Sequence, residues 1–149
     1  MENFQRALKL NRHDSTTWYN LGIAYHELGK DEELTEALRH ACEESPSSAK
    51  YRETLVGIVS LLAYRNQIEG NHEKAMKLYK EALAVDDSRA QNWYNLALAH
   101  QQMGDLPSAT DAAEKAAKLD PQNNVYRHLQ DYLRKAVDHP EGNKNPTDP

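Results

Sequence analysis

Seven histidines, one cysteine and two short acidic runs are the side chains here that could ligate a metal or attack a substrate. A helical zinc site needs two His on one face at i and i+4, with a Glu between them where water is to be activated. His13, His26, His40, His72, His100, His128 and His139 never fall at that spacing. Cys42 stands one residue past Ala41, on the packing side of a helical pattern. That is the setting of a buried, inert thiol, because a nucleophilic thiolate needs cationic neighbours and solvent. The six glycines all occur singly, so no glycine-rich loop can cradle a phosphate. The acidic runs at 31–33 and 43–44 read as solvated helix surface. These residues predict no catalytic group, no metal, no cofactor and no enzyme.

Charge narrows the field further. Lys and Arg number 18 against 23 Asp and Glu, a net charge of -5, and the basic residues alternate with acidic ones. A face that displaces counterions from nucleic acid needs clustered cations, so nucleic acid is not an expected partner. No apolar run approaches the roughly eighteen residues of a membrane span, and no membrane insertion is expected. The opening Met1-Glu2-Asn3-Phe4 has neither the basic nor the apolar region of a leader. A single cysteine forms no intrachain disulfide, which points to a soluble protein of a reducing, cytoplasmic compartment. Eight tyrosines supply large side chains with polar tips, a composition suited to contact with other proteins.

The elements that would carry such contacts emerge from internal periodicity. Trp18-Tyr19-Asn20-Leu21-Gly22-Ile23-Ala24-Tyr25 is matched by Trp93-Tyr94-Asn95-Leu96-Ala97-Leu98-Ala99-His100, an offset of 75. Gly29 and Gly104, Ala41 and Ala116, and Pro46 and Pro121 share that offset. A middle copy lies between them, since Gly70 to Gly104 and Ala82 to Ala116 are each 34, as is Ala7 to Ala41. Gly29 to Gly70 and Ala41 to Ala82 are instead 41, so seven extra residues lie between Pro46 and Gly70. Each unit carries apolar residues at i, i+3, i+4 and i+7 in two stretches, the pattern of paired amphipathic helices. Gly29, Gly70 and Gly104 stand where a first helix must stop, and Asp31, Asn71 and Asp105 follow as expected N-caps of a second.

A pattern of W-x2-L-G-x2-Y followed by Gly, Ala, Ala and Pro over thirty-four residues resembles the tetratricopeptide repeat. Trp18, Leu21, Gly22, Tyr25, Gly29, Ala41 and Pro46 carry it in one unit, and Trp93, Leu96, Gly104, Ala109, Ala116 and Pro121 in another. The middle unit keeps Leu62, Gly70, Ala75, Tyr79 and Ala82. Leu34, Val59, Asn66, Asp87 and His100 depart from the pattern. The resemblance spans residues 2–137 and implies an all-α fold, a right-handed α–α superhelix of antiparallel hairpins closed by a C-terminal capping helix.

The expected organisation is one domain over 1–137. It comprises a half-repeat (second helix only) at 1–14, a repeat at 15–48, and a repeat at 49–89 whose first helix is lengthened by seven residues. A repeat at 90–123, a capping helix at 124–137 and a disordered tail at 138–149 complete it. The resemblance further implies that the first helix of each unit lines a concave groove. Its fifth, sixth, ninth and twelfth positions offer Tyr19, Asn20, Ile23 and His26, then Ser60, Tyr64 and Gln67, then Tyr94, Asn95, Leu98 and Gln101, and finally His128 and Tyr132. Thr16, Gly57 and Gln91 hold the second position.

Chaperone adaptors of this family grip a terminal carboxylate with groove cations. Here Tyr, Ser, Ile and Leu stand at those places, so that chemistry is not expected. The expected partner is a peptide or amphipathic helix of another protein, with Asn20 and Asn95 free to donate to and accept from its backbone. One alternative is a repeat domain belonging to a larger multidomain protein, an enzyme or a secretion or assembly factor. Another is a homo-oligomer through the N-terminal helix or the long helix at 49–69.

Overall fold

The computed structural model describes residues 2–138, of which the side chain of Gln5 is not characterised. Among the described residues eight helices follow one another: α1 (Glu2–Leu10), α2 (Ser15–Glu27), α3 (Asp31–Glu44), α4 (Ala49–Ile68), α5 (His72–Val85), α6 (Ala90–Gln102), α7 (Leu106–Leu119) and α8 (Asn124–Asp138). No strand occurs among the described residues, and the fold is all-α. Asp138, assigned from sequence to the tail, is the last residue of α8, and residues 139–149 lie outside those described.

The stop signals act through backbone conformation. Gly29, Gly70 and Gly104 have φ of 66°, 81° and 78°, and a Cβ at any of them would meet nothing within 4 Å. Glycine is required there because the left-handed region penalises any side chain, whatever space is free. The start signals differ from one another. Asp105 caps α7 by accepting the Ser108 N–H at 3.2 Å. Asn71 holds the cap position of α5 without a side-chain bond to the helix, and Asp31 is the first residue inside α3, whose cap is Lys30. Asp31, Glu32 and Glu33 still favour α3, since carboxylates in a first turn face the positive end of the helix dipole. Asp14 caps α2, accepting from the N–H groups of Thr16 and Thr17 at 3.1 and 3.3 Å.

The chain divides into two compact units between Leu62 and Ala63, a point inside α4. Helix α4 has 20 residues where α2 and α6 have 13, and the difference is the seven-residue insertion. Those residues give one helix two registers. Counted back from Gly70, Ala63 and Asn66 take the places of Gly22 and Tyr25, or of Ala97 and His100. Counted forward from Pro46, Tyr51 takes the place that Tyr126 holds after Pro121. The early part of α4 therefore has the register of a closing helix, and the late part that of the first helix of a new hairpin.

In the first unit α1 packs on α2 and α2 on α3, gathering Leu8, Leu21 and Ala37 with Phe4, Trp18 and Tyr25. Leu34 and Leu38 are fully buried, each contributing about 2 kcal/mol relative to exposure. In the second unit Ala63, Ala75, Tyr79, Leu96, Ala97, Ala109, Ala113 and Leu133 form one core. Its alanines let helix backbones approach closely, and Tyr79 is its largest fully buried side chain.

Helix α8 closes this unit. At the places where α6 has Trp93, Leu96, Ala97 and His100, α8 has Arg127, Gln130, Asp131 and Arg134. Arg127, Asp131 and Arg134 are exposed, and Arg134 binds Glu114 of α7 at 2.7 Å. A further helix laid on that face would have to desolvate charges, which costs more than its packing returns.

Candidate functional site

The two tryptophans have the same surroundings, 75 residues apart. Trp18 Nε1 donates to the Arg12 carbonyl and Trp93 Nε1 to the Asp87 carbonyl, both at 2.8 Å. Each ring is covered from the second helix of its hairpin. His40 stacks on Trp18 with centroids 4.4 Å apart, and the Lys115 ammonium lies 4.1 Å from the Trp93 centroid. Tucking the indole N–H into the preceding turn fixes where each first helix begins, and with it the neighbouring Tyr19 and Tyr94.

Those tyrosines are in turn held by the helix that follows. Tyr19 stacks on Tyr51 and Tyr94 packs on Tyr126, both at 5.1 Å between centroids. The Tyr51 hydroxyl pairs with Thr16 Oγ1 at 3.3 Å, and the Tyr126 hydroxyl donates to Gln91 Oε1 at 3.0 Å. Every partner in the second set lies 75 residues after its counterpart in the first. Lys50 Nζ stands 4.3 Å from the Tyr19 centroid, whereas the equivalent place in the second unit is held by the exposed Val125.

In the first unit the sequence-derived set comprises Tyr19, Asn20, Ile23 and His26 on α2 and Ser60 on α4. Asn20 and His26 are exposed, and Tyr19 and Ile23 are half-buried. The Ser60 hydroxyl oxygen is buried and has no hydrogen-bond partner, so a partner protein cannot reach it in this conformation.

In the second unit Gln67 and Asn95 both engage in side-chain hydrogen bonds within the protein. The Tyr79 hydroxyl donates to Gln67 Oε1 at 3.0 Å and is also hydrogen-bonded by Asn95. Gln91 Nε2 donates to Asn95 Oδ1 at 2.9 Å. Asn95 Oδ1 thus accepts one bond within the protein, and its second lone pair stays open, in keeping with the expectation that Asn95 could also accept from a partner. Burial pushes the Tyr79 phenol up to about 12, partly offset by the Asn95 hydrogen bond, with the Tyr64 hydroxyl group adding to the rise. Of the remaining members in this unit, Tyr64 and Tyr132 are half exposed at 51% and 49%, Leu98 and Gln101 are half-buried, and His128 is exposed.

Tyr51, Tyr79 and Tyr126 were absent from the sequence-derived set. Tyr51 and Tyr126 obey the offset of 75 and could have been found by it. Tyr79 could not, because Leu38 and Ala113 hold its place in the other units.

Elsewhere the chemistry is quiet. Cys42 is half-buried rather than buried, and burial raises its thiol above the ordinary value despite the nearby Arg52. Among the described residues no three His, Cys, Asp or Glu side chains gather as a metal site. No helix among them is long and apolar enough to cross a membrane. An open depression of about 800 Å³ at the α4–α5 turn is lined by Arg65, Asn66, His72, Lys74 and neighbours, none of them from the sequence-derived set.

Family models described as TPR repeat and tetratricopeptide repeat match residues 3–39, 68–104 and 90–123. The chain belongs to the tetratricopeptide repeat family. A curated relative of this repeat protein is the probable UDP-N-acetylglucosamine–peptide N-acetylglucosaminyltransferase SPINDLY of Hordeum vulgare, 29% identical over 117 residues. The match takes in 78% of this chain but only 12% of that relative's length. Among solved structures, the first TPR of Spaghetti (RPAP3), bound to HSP90 peptide SRMEEVD, superimposes with a TM-score of 0.54 at 15% identity, covering 83% of this chain and 93% of that one. A MamA RS-1 double mutant gives 0.53 at 18% identity over 91% and 72% of the two chains. The Sgt2 TPR domain of Aspergillus fumigatus gives 0.50 at 18% over 91% and 87%. At these identities the likeness is one of fold, and it is the tetratricopeptide solenoid fold.

Proposed function

We propose that this tetratricopeptide repeat chain is a non-catalytic module that holds a segment of a partner protein on the first-helix face of its hairpins. The observation that supports the reading is the make-up of the groove positions of the second unit, where the half-exposed Tyr64 and Tyr132 and the apolar Leu98 accompany Gln67 and Asn95, whose amides are held by hydrogen bonds within the protein. Rigid aromatic area beside positioned polar groups is the usual make-up of a contact surface that captures a chain.

The Spaghetti domain holds an acidic peptide. The face proposed here has Tyr94 and His128 at the fifth places and Tyr64, Leu98 and Tyr132 at the ninth. No pair of cations converges on it, so a terminal carboxylate gains nothing there.

The test uses the intact chain as bait for a displayed library of random peptides. Peptides that bind are measured against Tyr94→Ala/Asn95→Ala, with circular dichroism confirming that the variant is helical. Affinity should fall at least about tenfold, the loss of roughly 1.4 kcal/mol. Unchanged affinity in a folded double variant would remove the face from consideration.

A second reading is favoured by the barley relative: the repeats serve as the partner-gripping part of a longer polypeptide. The length of the gene's reading frame decides it. Self-association through α1 or α4 is separated from both by light scattering across a concentration series.

A further inference from the structure

We propose that the open side of α1 is a docking surface in its own right, separate from the groove. Its occupant is an acidic amphipathic helix of another protein, with glycine or alanine where that helix crosses Phe4.

The register of the second helices defines this surface. Phe4 and Ala7 of α1 hold the places of Leu38 and Ala41 in α3, Tyr79 and Ala82 in α5, and Ala113 and Ala116 in α7. Those six residues are at most 1% exposed, whereas Phe4 and Ala7 are half-buried and Leu10 is 91% exposed. The cover in the other copies comes from the first helix of the same hairpin: α2 on α3, α6 on α7, and Ala63 of α4 in one core with Tyr79. Among the described residues α1 has no such helix and packs on α2. An open depression of about 770 Å³ lies there, lined by Leu8, Leu10, Leu21 and Tyr25 together with Lys9 and Arg12.

Size and charge select the occupant. Where the second helix has Leu38 or Tyr79, the first helix has Gly22 or Ala63, and a Cβ on Gly22 would stand 3.3 Å from Leu38. Phe4 is bulkier than leucine, so the helix that covers it needs a small residue at the crossing. Arg6, Lys9 and Arg12 are exposed, and no carboxylate among the described residues pairs with them. A helix that buries its apolar side here therefore gains by carrying Asp or Glu along its flanks. A second copy of the chain does not meet these terms. Helix α8 is itself a first helix by register, but it has Asp131 at the place of Gly22, and burying that carboxylate against Phe4 is costly. A second α1 brings the same three cations, which repel.

The test pans a displayed library of amphipathic helices, held folded on a helical scaffold, against the intact chain. Selected helices should carry a small residue flanked by apolar ones and a net negative charge. Phe4→Ala should weaken them about tenfold, the loss of one aromatic anchor. Because Phe4 also packs in the core of the first unit, circular dichroism must show that variant to be helical. Arg6→Glu/Lys9→Glu, which alters exposed side chains alone, should weaken them about fivefold in low salt and less as salt screens the charges. Tyr94→Ala/Asn95→Ala should leave them unchanged, so this surface stands or falls apart from the groove. Helices indifferent to both α1 variants overturn the proposal. So does a dimer in light scattering that Phe4→Glu dissolves, which gives the face to a second copy. The same panning on the product of the full reading frame should return the same helices; their exclusion by a preceding segment would overturn it too.

Discussion

Gly22 lies against Leu38 where α2 crosses α3: a methyl group on the glycine would stand 3.3 Å from both Cγ and Cδ2 of the leucine. Leu38 is fully buried and has little room to yield. Seventy-five residues on, the same two places hold Ala97 and Ala113, so an added methyl on one helix goes with a smaller side chain on the other. Gly22→Ala gains about 1 kcal/mol of helix propensity and incurs about 1–3 kcal/mol of overpacking. The expected net effect is a loss on the order of 1 kcal/mol in urea denaturation. In a Leu38→Ala background the same change should stabilise. A double-mutant cycle showing no coupling would mean the two side chains do not press on each other.

Two other glycines give opposite expectations. At Gly104, φ is 78° and no atom crowds a Cβ, so Gly104→Ala bears only the backbone penalty, about 1 kcal/mol lost. Gly57 sits inside α4 with a helical backbone and open space around it. Gly57→Ala should stabilise by up to about 1 kcal/mol. Thermal denaturation of the two variants side by side checks both signs.

Tyr79 makes stability fall at high pH. Its phenol titrates at about 12 in the folded chain against 10 when exposed, so the folded state holds the proton more tightly. That contribution is complete below pH 10 and is lost as pH rises from 10 towards 12. Tyr79→Phe, which forgoes hydrogen bonds to Gln67 and Asn95, should be about 1 kcal/mol less stable at pH 8. The gap to the parent protein should narrow above pH 10. A gap independent of pH would place the hydroxyl in water.

At the acid end the sign reverses. Asp14 lies below the ordinary 3.8 because the Thr17 hydroxyl and then its N–H donate to it, and Asp105 lies below it because of Ser108. Folded carboxyls that resist protonation contribute stability above pH 3.8, lost as pH falls further. Asp14→Ala and Asp105→Ala should each lower the melting temperature at pH 7, and both differences should shrink below pH 3.8. Melting temperatures that stay offset at pH 2 would assign the loss to packing.

Much of the fold was legible because its signals are local. Gly29, Gly70 and Gly104 announce left-handed turns by residue type alone, and the offset of 75 pairs Trp18 with Trp93 without any coordinates. Caps were less legible. Lys30 rather than Asp31 precedes α3, since a carboxylate within the first turn gains almost as much from the dipole as one at the cap itself. The double register of α4 was hidden because seven residues are nearly two whole turns, leaving the apolar stripe unbroken. The face around Tyr79 was least legible. Gln67 and Asn95 were found at their groove positions, but the hydroxyl that orients them comes from a second helix, at a place where the other repeats carry Leu38 and Ala113.

The charged outer side of α8 has an engineering consequence. A duplicate of residues 90–123 joined after position 138 would find Arg127, Asp131 and Arg134 where its own helices need alanine and leucine. Placed ahead of Asn124, the same insert keeps a Trp93-like indole at its start, and Tyr126 remains available to its second tyrosine. The protein can therefore be lengthened from within, one cassette at a time, but not by extension beyond α8.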